Sequence, residues 1–148
     1  MNFLDIATTL CIGPLVGTEL AVSAFVNPVL WKLDAPAQAA AIRLFARRLG
    51  TAMPFWYSAS FLLLLAVTLR HLHRPGVLLL GAASGIWAAV IVLTLLFLVP
   101  INNRMARIDA DAFTDASRRQ HRRWDRMHRL RVAALAVAMA AFLAGIRL

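Results

Sequence analysis

The chain predicts an all-α fold: a bundle of four transmembrane helices with short amphipathic cytoplasmic helices between them. Two observations carry this expectation. Of its 148 residues, 61% are hydrophobic, with a mean hydropathy of +0.70, more apolar than a water-soluble domain of this size can cover with a polar shell. Residues 76–100 contain no charge at all, enough helix to cross the ~30 Å hydrocarbon layer of a bilayer. In lipid, where no water satisfies backbone N–H and C=O groups, helices close all their hydrogen bonds internally. The chain is therefore expected to form one membrane domain, with spans at 4–30, 51–72, 76–103 and 124–147.

The first span opens the chain without a basic leader or a small-residue cleavage site, so it is expected to be a mature helix and not a secretory signal. It contains the only cysteine, Cys11, which excludes an intrachain disulfide. The second and third spans are joined by His71-Leu72-His73-Arg74-Pro75, read as a tight turn with both histidines exposed, making an antiparallel hairpin. The last apolar run, 132–146, is too short to cross alone, since a helix needs about 20 residues. Its helix is expected to begin upstream, near Trp124.

Thirteen of the sixteen basic residues fall in the two long connections, Lys32 to Arg48 and Arg104 to Arg131. The positive-inside rule then places both connections in the cytoplasm and both termini outside, as in a bacterial inner-membrane protein. Basic segments beside a bilayer are attracted to anionic headgroups, so the net charge of +9 calls for no nucleic acid. The first connection carries an amphipathic repeat, Ala41, Phe45 and Leu49 against Arg43, Arg47 and Arg48, opened by Pro36 and punctuated by Gly50 and Pro54. In the second, Asp109, Asp111 and Asp115 precede Arg118, Arg119, Arg122 and Arg123, a sign order that suits a helix macrodipole. Gly13 and Gly17, and Gly81 and Gly85, have the spacing that lets helices approach closely in lipid, which predicts contact between the first and third spans.

The most informative residue is Glu19, alone in an otherwise apolar run, where an ionised carboxylate costs a few kcal/mol or more without a partner. With the topology above, three spans bring polar groups to one end: Asn27 and Pro28 after Glu19, Asn102 and Asn103 closing the third span, and Trp124, His128 and Arg131 on one stripe of the last helix. Glu19 is expected to pair with His128 or Arg131, and His128, with an ordinary pKa near ~6.5, can exchange a proton at cellular pH. His121, Asp125 and His128 also share a face and, with Glu19, could present ligands to a transition metal.

Phe25-Val26-Asn27-Pro28 closing the first span, Pro100-Ile101-Asn102-Asn103 closing the third, and Trp124-x3-His128-x2-Arg131 opening the fourth together resemble the anthrone oxygenase-like family of small integral membrane proteins. The resemblance covers nearly the whole chain. It implies a four-helix membrane protein and, for fungal polyketide-pathway members, oxidation of an anthrone to an anthraquinone by molecular oxygen. The residues permit such chemistry without a cofactor. His128 tuned by Glu19 would remove an acidic carbon-bound proton; Arg131, Asn27, Asn102 or Asn103 would steady the developing oxyanion; and Trp124, with Phe25 and Pro28, would hold a lipophilic ring. Two other classes fit the same residues. One is a haem- or metal-binding membrane protein with His128 and His121 as ligands, and the other a non-enzymatic scaffold or small-solute carrier, for which a homodimer could supply more helices.

Overall fold

The computed structural model describes residues 2–108 and 114–148, so Asp109 and Asp111 lie outside the described residues. Among these residues there are four long helices: α1 (Phe3–Leu30), α2 (Ala35–Arg70), α3 (Val77–Met105) and α4 (Asp115–Gly145). Each is long and apolar enough to cross a membrane. They alternate in direction, and α1 packs on α2, α2 on α3, α3 on α4 and α4 back on α1, so α1 and α3 are diagonal. Among the described residues the first and third spans are not packed against each other as the glycine spacing predicts. Gly17, Gly81 and Gly85 have no neighbouring atom within 4 Å of where a Cβ would sit, and only Gly13 meets another helix, at Met139 of α4. Close helix approach occurs elsewhere: a Cβ on Gly76 would sit 2.0 Å from the backbone oxygen of Gly145, so the α3 and α4 backbones touch where the hairpin turn meets the last helix.

Local chemistry explains the helix ends. Asn2 and Asp5 form a reciprocal capping box on α1, Asp34 accepts from the Ala37 N–H at 2.9 Å to start α2, and Thr114 caps α4 just ahead of Asp115. The amphipathic segment opened by Pro36 is not a separate helix. It forms the first turns of α2, which runs unbroken through Gly50 and Pro54 for 36 residues. A proline removes one hydrogen bond but leaves the rest of the ladder intact, and packing on both sides of Pro54 holds the helix together. At ~1.5 Å per residue α2 is about 54 Å long, more than the ~30 Å hydrocarbon layer of a bilayer requires. His71, expected to be exposed, is buried with Nδ1 2.9 Å from the Val67 carbonyl oxygen, while His73 is exposed.

Two helices contain a single wide, π-helical turn: Val22–Val26 in α1 and Thr94–Leu98 in α3. Each lies just ahead of a proline, Pro28 or Pro100, which has no N–H for the carbonyl four residues back and crowds it. The backbone widens there, so that Asn27 N–H bonds to the Val22 oxygen and Val99 N–H to the Thr94 oxygen, five residues back. The apolar interior is correspondingly split. The half near the termini holds Ile12, Leu15, Leu64, Val67, Leu80, Trp87, Leu135 and Phe142, all nearly inaccessible. A smaller cluster of Leu30, Ile42, Ala46, Ile101 and Met105 lies at the arginine-rich end. The polar site lies beside these groups.

Candidate active site

Glu19 is delivered by α1 and is 3% exposed, the burial at which a carboxylate needs a partner. It has one. The Arg131 guanidinium on α4 donates to Glu19 Oε2 at 2.6 Å, and the same nitrogen lies 2.9 Å from His128 Nδ1. A guanidinium only donates, so Nδ1 is the acceptor and Nε2 carries the proton, donating to the Glu19 backbone oxygen at 3.2 Å. His128 Nδ1 and Glu19 Oε2 are 3.2 Å apart, and the two N–H bonds of one terminal Arg131 nitrogen bridge them. Carboxylate, imidazole and guanidinium thus form a closed cluster across the α1–α4 contact. Arg131 also reaches Thr94 Oγ1 at 3.4 Å, the first residue of the wide turn in α3, and lies over the Tyr57 ring of α2 at 5.5 Å. All four helices therefore contact the arginine or its partners.

The cluster forms part of the wall of a cavity of about 310 Å³, lined mainly by apolar side chains including Val22, Leu30, Ile42, Met53, Ile91 and Leu98. Along α4 the rings are stacked: Trp124 on His128 with centroids 4.7 Å apart and planes 9° from parallel, and His121 on Trp124 at 5.8 Å and 8°. Trp31, at the end of α1, tilts against His121 at 5.0 Å, and Arg122 lies over Trp31. The i, i+3 and i+4 positions of one helix face produce this column of rings, which runs from the arginine-rich surface to the cluster.

Most expected residues meet here, in differing roles. Asn27 is buried and donates Nδ2 to Asp125 Oδ1 at 2.8 Å, tying α1 to α4, while Arg129 binds the other Asp125 oxygen. Asn102 lines the cavity, and its amide donates to the Ala46 oxygen at 3.1 Å, tying α3 to α2. Asn103 lines the cavity from an exposed position. Phe25 and Pro28, expected against a ligand, do not line it: Phe25 is 69% exposed and Pro28 also faces outward. Asn27 faces inward, and at ~100° per residue Phe25, two positions away, points to the opposite side of α1.

The four candidate metal donors do not converge. Glu19 and His128 share Arg131, Asp125 binds Asn27 and Arg129, and His121 belongs to the ring column; among the described residues no three His, Cys, Asp or Glu side chains are grouped to hold a metal ion. Tyr57, Thr94 and Trp31 were not anticipated. The only signals in the sequence were a lone tyrosine and a threonine within uncharged runs. Tyr57 is buried against the cluster, beside the Arg131 guanidinium and the Glu19 carboxylate.

Fold and site together define a class: a small four-helix protein, each helix able to cross a membrane, with a buried carboxylate–imidazole–guanidinium cluster on the wall of an apolar cavity. Residues 41–141 match the family described as anthrone oxygenase, and the chain belongs to that family. The matched segment includes Tyr57, Thr94, Asn102, Trp124, His128 and Arg131 and begins after Glu19 and Asn27. No curated protein and no solved structure matches the chain.

Proposed function

We propose that the chain is an integral membrane oxygenase that converts a lipophilic anthrone-type ring compound to the quinone with O2, with the arginine-rich end in the cytoplasm of a bacterial cell. The observation that carries this reading is the placement of the Glu19–His128–Arg131 cluster on the wall of an apolar cavity that Trp124 also lines. An anthrone has an acidic methylene, and loss of one proton gives a phenolate-like, electron-rich ring that reduces O2. The overall change is CH2 to C=O, with one O2 consumed and one water released. The chain supplies what the first step needs. The Glu19–His128 pair accepts the proton, and Arg131, held by Glu19, His128 and Thr94, offers a fixed positive charge to the oxygen that becomes anionic.

Both His128 nitrogens are engaged at rest, so the carbonyl oxygen of the bound anthrone must draw the Arg131 N–H toward itself and release Nδ1 before the proton is removed. Ligand binding and base activation are then one event. The scheme asks for no resident metal or haem. Orientation follows from the basic residues gathered at one end, which the positive-inside rule assigns to the cytoplasm.

The test is oxidation of anthrone followed by anthraquinone absorbance and O2 uptake, using purified protein in nanodiscs. The wild type is expected to accelerate the reaction over protein-free nanodiscs. His128→Gln and Glu19→Gln are each expected to lower the rate by about 10²–10⁴, the usual contribution of a general base. Undiminished turnover in both variants would overturn the assignment.

A further inference from the structure

The cavity has a mouth, and its frame can be read from the α2–α3 contact. Toward the termini the two helices are joined by Trp87 Nε1 donating to the Tyr57 oxygen at 3.2 Å, and at the arginine-rich end by Asn102 Nδ2 donating to the Ala46 oxygen at 3.1 Å. Arg47 Nε adds a bond to the Ala106 oxygen at 3.1 Å just beyond. Between Ala46 and Tyr57 α2 rises about 16 Å at ~1.5 Å per residue. Within that interval the cavity is lined by residues that are also exposed on the outside of the bundle, Gly50 and Pro54 from α2 and Leu95 from α3, and at its edges by Ser58, one residue beyond Tyr57, and Asn103, one beyond Asn102. A residue that both lines the cavity and is exposed marks an opening.

Both helices depart from regular geometry at this level. Pro54 interrupts the ladder of α2, and the wide turn Thr94–Leu98 with Pro100 distorts α3. On α2, Ser58 is small, and Gly50 has no side chain and lies against the Asn102 amide at the lower edge of the gap. The seam lies between helices that face lipid, on the basic side of the bundle.

We propose that the planar ring ligand reaches the cluster sideways from the bilayer, through this window between α2 and α3, and that Ser58 and Leu95 set the size of ring system that passes. The inference rests on the ring-ligand reading above and adds the route. It explains why the irregular turns lie where they do: the two hydrogen-bonded ties hold the helices together above and below while the stretch between them is left apart.

The experiment is stopped-flow quenching of tryptophan fluorescence by 9,10-anthraquinone, with the protein in nanodiscs and Trp124→Phe identifying the signal from the cavity. Ser58→Phe narrows the window and is expected to slow association and dissociation together by tenfold or more, with little change in the extent of quenching. Leu95→Ala widens it and is expected to speed both, a change that a folding defect would not produce. Val137→Phe, an equally exposed site on α4, serves as control and is expected to match the wild type. Wild-type rates in both window variants would overturn the window while leaving the ligand reading intact. Quenching that is absent in the wild type, or that survives Trp124→Phe, would place the quinone outside the cavity and overturn ligand reading and window together.

Discussion

The two halves of the bundle use the same four helices in opposite ways. Near the termini the helices interlock: Trp87, Phe142, Leu80 and Leu135 are inaccessible, Gly76 lies against the backbone of Gly145, and Thr68 Oγ1 of α2 lies 3.0 Å from Ser84 Oγ of α3. Toward the arginine-rich end two helices carry wide turns, the interior opens into a cavity, and ionic and amide contacts join the helices beside a smaller apolar cluster. The first half is a packed clamp and the second a site held open by it. Rigidity at one end allows irregular backbone and a buried charge at the other, because the helices cannot drift apart when the cavity end is not close-packed.

Substitutions can break this contrast at graded cost. The largest effect is expected at the cluster. Arg131→Met leaves Glu19 buried without its cation and should destabilise the fold by about 3–5 kcal/mol, whereas Glu19→Gln combined with Arg131→Met should recover most of the loss. Thermal unfolding of the three proteins in one detergent measures this, and a double variant no better than Arg131→Met would contradict ion pairing as the cause. Next is the clamp: Gly76→Ala puts a methyl into the Gly145 backbone and should cost about 1–3 kcal/mol by overpacking. Smaller again is Asn102→Ala, which unties α2 from α3 below the window; interhelical hydrogen bonds in membranes average about 0.6 kcal/mol and reach about 1.7. Gly81→Ala should have no measurable effect, because open space surrounds that position. A loss there as large as at Gly76 would show that Gly81 is packed as closely as Gly76 and contradict the contrast.

The sequence was more informative about chemistry than about helix packing. Glu19 was legible because a charge in an apolar run must find a partner, and both candidate partners, His128 and Arg131, lie against it. The stripe of Trp124, His128 and Arg131 was legible because helical spacing fixes which side chains share a face. The glycine pairs misled, since their spacing states only that a face is smooth. Which neighbour that face meets depends on all four helices, and here Gly81 and Gly85 meet none. Pro36, Gly50 and Pro54 suggested a break that α2 does not make, because local propensity weighs less than tertiary packing along a 36-residue helix. The wide turns were hidden for the same reason. Pro28 and Pro100 mark strain, but whether it resolves as a kink, a break or a widened turn depends on the neighbouring helices. Asp125 had the spacing of a ligand and is a brace instead, bound by Asn27 from a segment 98 residues away in the chain.

The central claim is that the Glu19–His128–Arg131 cluster removes a carbon-bound proton before oxygen takes part. Its most direct test leaves oxygen out: anthrone is incubated anaerobically in D2O with nanodisc-embedded protein, and deuterium incorporation at the methylene carbon is followed by mass spectrometry. Wild-type protein is expected to accelerate exchange over protein-free nanodiscs, and the Glu19→Gln, His128→Gln double variant to abolish most of that acceleration. Wild-type protein that oxidises anthrone in air yet leaves the anaerobic exchange rate at background would contradict the claim and move the chemistry away from this cluster.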